Sequence, residues 1–245
     1  MDAQKRINEL ALRAVHTGRV QFTHFLEPSM EDEVRVSAGR AGAQVRLFGG
    51  YDGAERRVAA FYDELPPEDD EYPIAALALR WNAKFADAKH RDLLGAAMGL
   101  GLERDALGDV CLSREAGTAY LFCERDVADY VIGSLESAGR AKLSVSYAKE
   151  IDVAPPEGTT FRATVQNLRL DAILAAGYRL SRAEAQRLIA AGLVKLNHAE
   201  ELRADARVEA GGLISARGYG RLRVDEVQGE TKKGRIGLML FRYGK

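Results

Sequence analysis

The residues with the clearest capacity for chemistry lie around a helix that is predicted to begin after Ser181. Glu184 stands three residues after Ser181, which is the spacing of a capping box. Arg182 follows the cap directly, and Gln186 and Arg187 lie in the next turn. A helix N-terminus offers free backbone N–H groups to an anion, and an arginine fork binds two oxygens of one phosphate. The pattern therefore predicts a phosphate-binding site.

More positive charge follows on the strands predicted after this helix. These basic residues are Lys195, Arg217, Arg221 and Arg223. Tyr219 stands between Gly218 and Gly220, where the backbone can approach a ligand closely. An aromatic side chain between glycines and arginines can stack on a base. A tight hairpin with an exposed tyrosine is the structural alternative.

Two short helices and a small sheet must position these residues. Apolar spacing predicts a first helix that starts at Leu168 and ends at Gly177, and a second helix from the Ser181 cap to Ala191. The predicted strands cover residues 193–197, 211–217 and 221–224. We expect this sheet to be rich in arginine.

The charge is distributed unevenly along the chain, although its total is only −1. Residues 1–160 carry 19 Lys and Arg against 27 Asp and Glu, a net −8. Residues 161–245 carry 16 against 9, a net +7. The last third therefore has the charge of a segment that meets a polyanion. Two domains that attract each other would show the same asymmetry.

The composition is that of a globular chain, with 47% hydrophobic and 29% charged residues. Its two cysteines, Cys111 and Cys123, indicate a reducing compartment. They lack the spacing of a metal site, so we interpret them as small buried hydrophobes. There is no apolar run of membrane-spanning length and no apolar leader behind Met1, which predicts a cytoplasmic protein without a membrane span.

Proline pairs beside acidic residues divide the chain. Pro66 and Pro67 precede an acidic run over 68–71, and Pro155 and Pro156 precede Glu157. We predict an α+β protein in four segments. These are a small N-terminal α/β region (1–70), a central ferredoxin-like domain of RNA-binding type (71–155), an RNA-binding domain (163–228) and a C-terminal strand extension (229–245).

The N-terminal region combines helical and strand patterns. Apolar spacing predicts a helix over Arg6–His16. A second, short helix is predicted with Ser29 as its N-cap. Residues 44–48 and 58–62 read as two strands that flank a glycine-rich turn.

The central domain has the order β-α-β-β-α-β, which is the ferredoxin-like split βαβ unit. Its predicted strands cover 73–81, 109–113, 118–123 and 143–147, and its helices cover 88–99 and 126–137. Tyr120 and Phe122 are two residues apart on one strand and share a face. Core packing explains this pair more simply than the stacking of RNA bases.

Other catalytic patterns are incomplete. His90-Arg91-Asp92-Leu93 imitates a kinase catalytic loop, but Ala97 stands where that loop needs asparagine. The glycines near residue 100 lack the third glycine of a dinucleotide fingerprint. The four histidines do not cluster in sequence. We therefore expect no catalytic residue, no metal and no cofactor.

The C-terminal pattern resembles the S-four (alpha-L) RNA-binding domain. The resemblance rests on Leu168-Arg169-Leu170-Asp171, Leu180-Ser181-Arg182, Glu184-Ala185-Gln186, Ile189, Gly192, Val194, Asn197 and Ser215-Ala216-Arg217-Gly218-Tyr219-Gly220-Arg221. That motif is long and ordered. This chain departs from it at Leu213, where the family usually has an aspartate that supports a turn.

The upstream residues are similar to the YlmH family of bacterial RNA-binding proteins. The matching stretches are Thr23–Pro28, Glu55-Arg56-Arg57, Lys84-Phe85-Ala86, His90–Leu102, Arg104 and Gly108-Asp109-Val110. With the S-four pattern, they cover nearly the whole chain.

This resemblance implies a binding protein rather than an enzyme. Family members are linked to ribosome-associated quality control, so the expected partners are rRNA and peptidyl-tRNA on the large ribosomal subunit. We expect a monomer. The RNA-binding residues so implied are Arg169, Ser181, Arg182, Gln186, Arg187, Lys195, Asn197, Arg217, Tyr219, Arg221 and Arg223. His90 and Arg91 form a possible second RNA contact.

Two other functions stay open from the sequence. S-four domains also guide pseudouridine synthases, whose aspartate nucleophile lies near an arginine, and Arg91-Asp92 imitates that pair. The catalytic domain of those enzymes is larger and mostly β. The acidic first 160 residues could instead form a scaffold that binds a basic protein, which is compatible with RNA binding.

Overall fold

The computed structural model describes residues 3–231 and 234–244. The chain forms two compact units, Met1–Pro155 and Pro156–Lys245. Segments 1–70 and 71–155 lie in the first unit, and segments 163–228 and 229–245 lie in the second. The finer division into four segments stays a prediction. Parts of the predicted 1–70 and 229–245 segments lie outside the described residues, namely Met1, Asp2, Lys232, Lys233 and Lys245.

Helices and strands are interspersed along the first unit, whereas in the second unit one strand precedes two adjacent helices and five strands follow them. The helices are α1 (Ala3–Thr17), α2 (Glu31–Ala41), α3 (His90–Met98), α4 (Arg125–Ser134), α5 (Leu170–Tyr178) and α6 (Arg182–Ala190). The strands of the first unit are β1 (Gln21–Leu26), β2 (Gln44–Phe48), β3 (Arg57–Tyr62), β4 (Ile74–Arg80), β5 (Leu107–Leu112), β6 (Thr118–Glu124), β7 (Ser137–Ala138), β8 (Ala141–Lys142) and β9 (Ser144–Tyr147). Those of the second are β10 (Gly158–Val165), β11 (Val194–Leu196), β12 (Ala199–Glu200), β13 (Leu213–Ala216), β14 (Gly220–Glu230) and β15 (Ile236–Tyr243). None of the described helices is long and apolar enough to cross a membrane.

The first unit contains two larger antiparallel sheets, with strand orders β1-β3-β2 and β5-β6-β4-β9. Helices α1 and α2 pack on the three-stranded sheet, and α3 and α4 pack on one face of the four-stranded sheet. Tyr120 and Phe122 lie on its other face. They are buried against Phe25 and Val58 of the N-terminal region and against Tyr72, which precedes β4. The interpretation of this pair as core is therefore confirmed, and it leaves no ring face for a base.

The four-stranded sheet and its two helices follow the predicted order along the chain. Strand β4 is followed by α3, β5, β6, α4 and β9, and the short β7–β8 hairpin lies before β9. The last strand, β9, pairs with β4 at one edge of the sheet, and β5 forms the opposite edge. The ferredoxin-like class stays an interpretation of this order.

Two predictions for the N-terminal region are wrong or incomplete. Ser29 is not an N-cap, because it lies within a 3-10 turn over Pro28–Met30, and Met30 precedes α2. Strand β1 was not predicted. It contains a register shift between Phe22 and Phe25 against β3, which breaks the alternation by which a strand is recognised.

The second unit is a six-stranded antiparallel sheet with one face covered by α5 and α6. Its strand order is β10-β15-β14-β13-β11-β12. Alternation along β14 decides which residues face the helices: Leu222 and Val224 are buried in the core, whereas Arg221 and Arg223 point to the opposite face. The predicted arrangement of two short helices and an arginine-rich sheet is present, and β10 adds a strand that was not predicted.

The predicted end of the first helix of this unit is also wrong. Gly177 lies inside α5, which continues to Tyr178 and ends on Arg179 in the left-handed conformation. A Cβ at Gly177 would lie 2.2 Å from Leu222 Cδ2. The glycine therefore permits close helix–sheet packing and does not end the helix.

We expect a fragment of residues 156–245 to fold alone. Its apolar core is formed by its own helices and strands, including Ile173, Ile189, Leu222 and Leu240. Thermal unfolding followed by circular dichroism should show a cooperative transition. A fragment that starts at residue 161 cuts β10 and should be less stable. A broad, non-cooperative melt of the longer fragment would contradict this expectation.

Candidate nucleic-acid interface

A buried aspartate organises the predicted phosphate-binding residues. Asp171 lies in the first turn of α5, and its side chain is fully buried. Arg182 Nη2 and Gln186 Nε2 each donate to its Oδ2 over 2.8 Å. Arg169 adds longer contacts of 3.3 and 3.4 Å from Nε and Nη2. One carboxylate thus brings together three predicted site residues from two helices.

These contacts keep Asp171 ionised. Burial alone would raise its pKa, because it removes water from the charge. The hydrogen bonds from Gln186, Arg182 and Arg169, with the charge of Arg182, outweigh that effect, so the pKa lies below its usual value. The carboxylate therefore acts as a fixed negative anchor.

The two anchored guanidinium groups remain accessible. The side chains of Arg169 and Arg182 are 40% and 44% exposed. In the described part of the chain, Arg182 contacts Asp171 through Nη2. Its remaining N–H groups are left for an external acceptor. Because Asp171 fixes the Arg182 guanidinium before binding, the side chain loses little conformational entropy when a phosphate binds.

The cap of α6 confirms the predicted capping box. The Ser181 N–H and Oγ–H both donate to Glu184 Oε2, over 2.8 and 2.7 Å, and the Glu184 N–H donates to Ser181 Oγ over 3.2 Å. These hydrogen bonds lower the pKa of Glu184. The structure therefore gives the Ser181 hydroxyl a capping role, and a phosphate at this end of the helix would meet the Glu184 carboxylate.

The hairpin between β13 and β14 lies beside the end of α5. Its glycines, Gly218 and Gly220, have φ values of 85° and 94°. Tyr178 donates its hydroxyl to Gly220 O over 2.9 Å, and its ring centroid is 5.5 Å from that of Tyr219. Tyr219 remains 43% exposed. Arg217, at the start of the turn, is exposed.

The sheet separates the other predicted residues from the helices. Lys195 pairs with Ser215, and Ser215 pairs with Arg221, so the three lie in one row across β11, β13 and β14. Arg223 lies two residues further along the face that the helices do not cover. Asp171 with Arg169, Arg182 and Gln186, called the helix group below, therefore lies on the other side of the sheet from Lys195, Arg221 and Arg223.

The structure gives Asn197 a turn position. It adopts the left-handed conformation with φ 49°. Its Oδ1 accepts the N–H of Leu213 over 2.9 Å, and its own N–H donates to Leu213 O over 2.8 Å. Arg187, by contrast, is exposed on α6, where its charge helps to lower the pKa of Glu184.

Comparison with known proteins decides the family. A model described as the putative RNA-binding domain in YlmH matches residues 67–152, and a model of the S4 (S-four) domain matches residues 168–214. The chain is 36% identical over 221 residues to the "Ribosome-associated protein quality control protein P2" of Bacillus subtilis. That alignment covers 88% of this chain and 84% of the relative.

The chain belongs to the YlmH family. It is accordingly an RNA-binding protein with a YlmH RNA-binding domain and an S-four domain. A solved structure, the cell division protein ylmH from Streptococcus pneumoniae, is 19% identical with a TM-score of 0.47, and the comparison covers 60% of this chain and 92% of that one.

The matched S-four residues include the whole helix group of this YlmH protein. Arg169, Asp171, Arg182 and Gln186 lie within residues 168–214. The matched segment ends inside β13, before the turn that leads to β14. Four predicted residues therefore lie beyond it, namely Arg217, Tyr219, Arg221 and Arg223.

The possible second contact lies in the YlmH RNA-binding domain. His90 and Arg91 begin α3 and are exposed, and Arg91 Nε is 3.6 Å from Asp92 Oδ1. Asp92 Oδ2 accepts the N–H of Lys89 at the start of the helix. The kinase-like run is therefore helical and supplies a cap rather than a catalytic loop.

Three residues near the site were not predicted as part of it. Asp171 was quoted in the S-four pattern without a role, although a lone carboxylate in the apolar run of 170–175 is itself a signal of a buried partner. Tyr178 contacts the hairpin, and the charge of Arg242 acts on Tyr178, whose pKa burial raises to about 12. Arg242 comes from β15, which is distant in sequence.

The described residues contain no group of three or more His, Cys, Asp and Glu side chains suited to a metal. Both cysteines are free. Cys123 is buried, and Cys111 is half-buried with its thiol 3.0 Å from Tyr51 Oη. Burial raises the thiol pKa values to about 12 and about 11 respectively, which makes both cysteines poor nucleophiles.

Proposed function

We propose that this YlmH protein binds rRNA and tRNA on large ribosomal subunits that still carry peptidyl-tRNA, and that it acts there in ribosome-associated quality control. The observation that carries the proposal is the Asp171 anchor within the S-four domain. It holds Arg169 and Arg182 while each side chain stays partly exposed. Such a pair suits backbone phosphates, which all RNA presents.

The proposal of a ribosomal partner is supported by the similarity to the Bacillus subtilis protein. The Bacillus subtilis protein is named for ribosome-associated quality control, and it aligns along most of both chains. A partner on the ribosome implies a cytoplasmic location. The net charge of +7 over residues 161–245 supports a polyanionic partner for the second unit.

The proposed mechanism is positioning rather than catalysis. Arg182, Arg169 and Gln186 contact phosphate at the helices, while Arg217 and Tyr219 contact the RNA from the hairpin. Nothing in the described residues favours the alternative of RNA modification. Asp92 accepts the N–H of Lys89 at the start of α3 and pairs with Arg91, so it has a structural role there. His90 and Arg91 provide a second contact from the first unit.

Co-sedimentation with purified large subunits tests the proposal. The protein should pellet with subunits that carry peptidyl-tRNA and much less with empty subunits. Arg182→Ala should abolish most of this binding. Arg235→Ala is the matched control, because Arg235 lies beyond the far end of β14 from the hairpin, about 30 Å away at the rise of a strand. Equal or absent binding to both kinds of subunit would contradict the proposed role.

A further inference from the structure

The open face of the sheet in the second unit carries two arginine–aromatic pairs. Arg223 is paired with Phe241 across β14 and β15, and its Cζ lies 5.2 Å from the centroid of that ring. The Cζ of Arg221 lies 4.7 Å from the centroid of the Tyr243 ring. The two rings meet edge to face, with centroids 4.9 Å apart and an interplanar angle of 87°. These four residues are called the arginine–aromatic platform below.

The platform lies on the opposite side of the sheet from α5 and α6. Leu222 and Leu240, which alternate with its members, are fully buried in the core against the helices. The four platform side chains are themselves only half-buried. Aromatic side chains of this size usually enter a core, so two of them on the open face of a sheet indicate a surface used for contact.

The platform is ordered before any ligand arrives. Arg223 Nε donates to Asp225 Oδ1 over 2.6 Å, and its Nη1 donates to Tyr243 Oη over 3.2 Å. Phe241 lies over the backbone of Gly158, where a Cβ would be 2.4 Å from the ring carbon Cζ. The glycine thus leaves space for the ring, and the hydrogen bonds fix the guanidinium.

Positive charge extends the platform along the sheet. Arg221 continues into the row with Ser215 and Lys195. Lys195 is exposed, and within the described ranges it has no side-chain partner. A backbone that crosses the strands along this row would therefore meet cations beside a stacking surface.

We propose that the arginine–aromatic platform binds unpaired RNA bases by stacking. This inference rests on the proposed RNA-binding function and adds a second mode of contact to it. Ring and guanidinium planes stack on the faces of bases, and only single-stranded segments expose those faces. The helix group around Asp171 contacts phosphates, which both single strands and duplexes present.

Fluorescence anisotropy on the full chain tests this proposal with two labelled probes. One is an oligouridine of about twelve nucleotides, and the other is a blunt RNA duplex of the same length. Tyr243→Leu and Phe241→Leu should each weaken oligouridine binding about tenfold and affect the duplex far less. Tyr243→Phe keeps the ring but loses its hydroxyl contact with Arg223, so its effect should be intermediate. Arg235→Ala is the control in both titrations.

The outcomes separate this proposal from the proposed function. If Arg182→Ala weakens binding while Tyr243→Leu and Phe241→Leu do not, the platform is not a base-binding surface and RNA binding by the helix group stands. If the wild type binds neither probe, both proposals fail. If the platform variants instead abolish a concentration-dependent dimer in light scattering, the face joins two copies of the chain, and base stacking is overturned.

Circular dichroism checks that each variant is folded. If Tyr243→Leu unfolds β15, Arg221→Gln provides the second test, because it removes the guanidinium charge and plane and leaves the ring in place. It should weaken oligouridine binding at least fivefold. Unchanged affinity in a folded Arg221→Gln protein would overturn the proposal.

Discussion

Arg182→Ala should raise the Kd for RNA ten- to a hundredfold, about 1.5 to 3 kcal/mol for a charged hydrogen-bonded contact. The expected size follows from the contact with Asp171, which holds the guanidinium through Nη2 while the Arg182 side chain stays partly exposed. The same variant should reduce the slope of log K against log salt by about 0.7 to 0.9, the value of one phosphate contact. Titrations at several salt concentrations measure both quantities.

The stability of Arg182→Ala must be measured alongside its affinity. The Ser181 cap is kept in this variant, which taken alone predicts little loss of folding. However, Asp171 loses one of its three donors, so we expect a cost of about 1 kcal/mol in the free energy of unfolding. Arg182→Lys keeps the positive charge but lacks the planar guanidinium, so its affinity for RNA should lie between those of the wild type and of Arg182→Ala. An unchanged Kd would remove Arg182 from the interface.

Asp171→Asn should reduce the free energy of unfolding by about 2 kcal/mol at pH 7, because it removes a buried, ionised acceptor of hydrogen bonds. The partners Arg169 and Arg182 are partly exposed, so water can hydrate them once the carboxylate is lost, which limits the cost. RNA affinity should fall as well, since both guanidinium groups lose their anchor. Urea unfolding and RNA titration measure the two effects.

The same residue predicts a dependence on pH. The pKa of Asp171 is lowered in the folded protein, so its contribution is present above the unfolded pKa of about 3.9 and is lost as the pH falls through the lower folded value. The stability difference between wild type and Asp171→Asn should therefore shrink below about pH 4. A difference that is constant from pH 7 to pH 3 would show that the charge of Asp171 has no stabilising role.

Local signals in the sequence predict the helix pair of the second unit well. Ser181 and Glu184 are three residues apart, and their capping box depends on no distant part of the chain. Gly177 illustrates the opposite case. Its meaning as a helix end or a packing contact depends on Leu222, which is far away in sequence. Local spacing cannot separate those two roles.

The parts that were not predicted depend on distant partners. Strand β10 directs Phe161, Ala163 and Val165 toward the core. It follows a proline pair, however, and among the described strands it pairs with β15 alone. The platform has the same origin, because Phe241 and Tyr243 meet Arg221 and Arg223 only when β14 and β15 pair. Asp171 likewise gains its role from residues on the next helix.

The position of β15 between β10 and β14 also determines when the sheet can form during synthesis. Strand β10 leaves the translating ribosome first, yet β15, its one neighbour among the strands that the structure describes, is made about 70 residues later. At a translation rate of about 5 to 20 residues per second, the backbone groups of β10 stay unpaired for roughly 4 to 14 seconds. A chain that lacks the eight residues of β15 would leave β10 unpaired permanently. An unpaired strand of this kind is a template for aggregation.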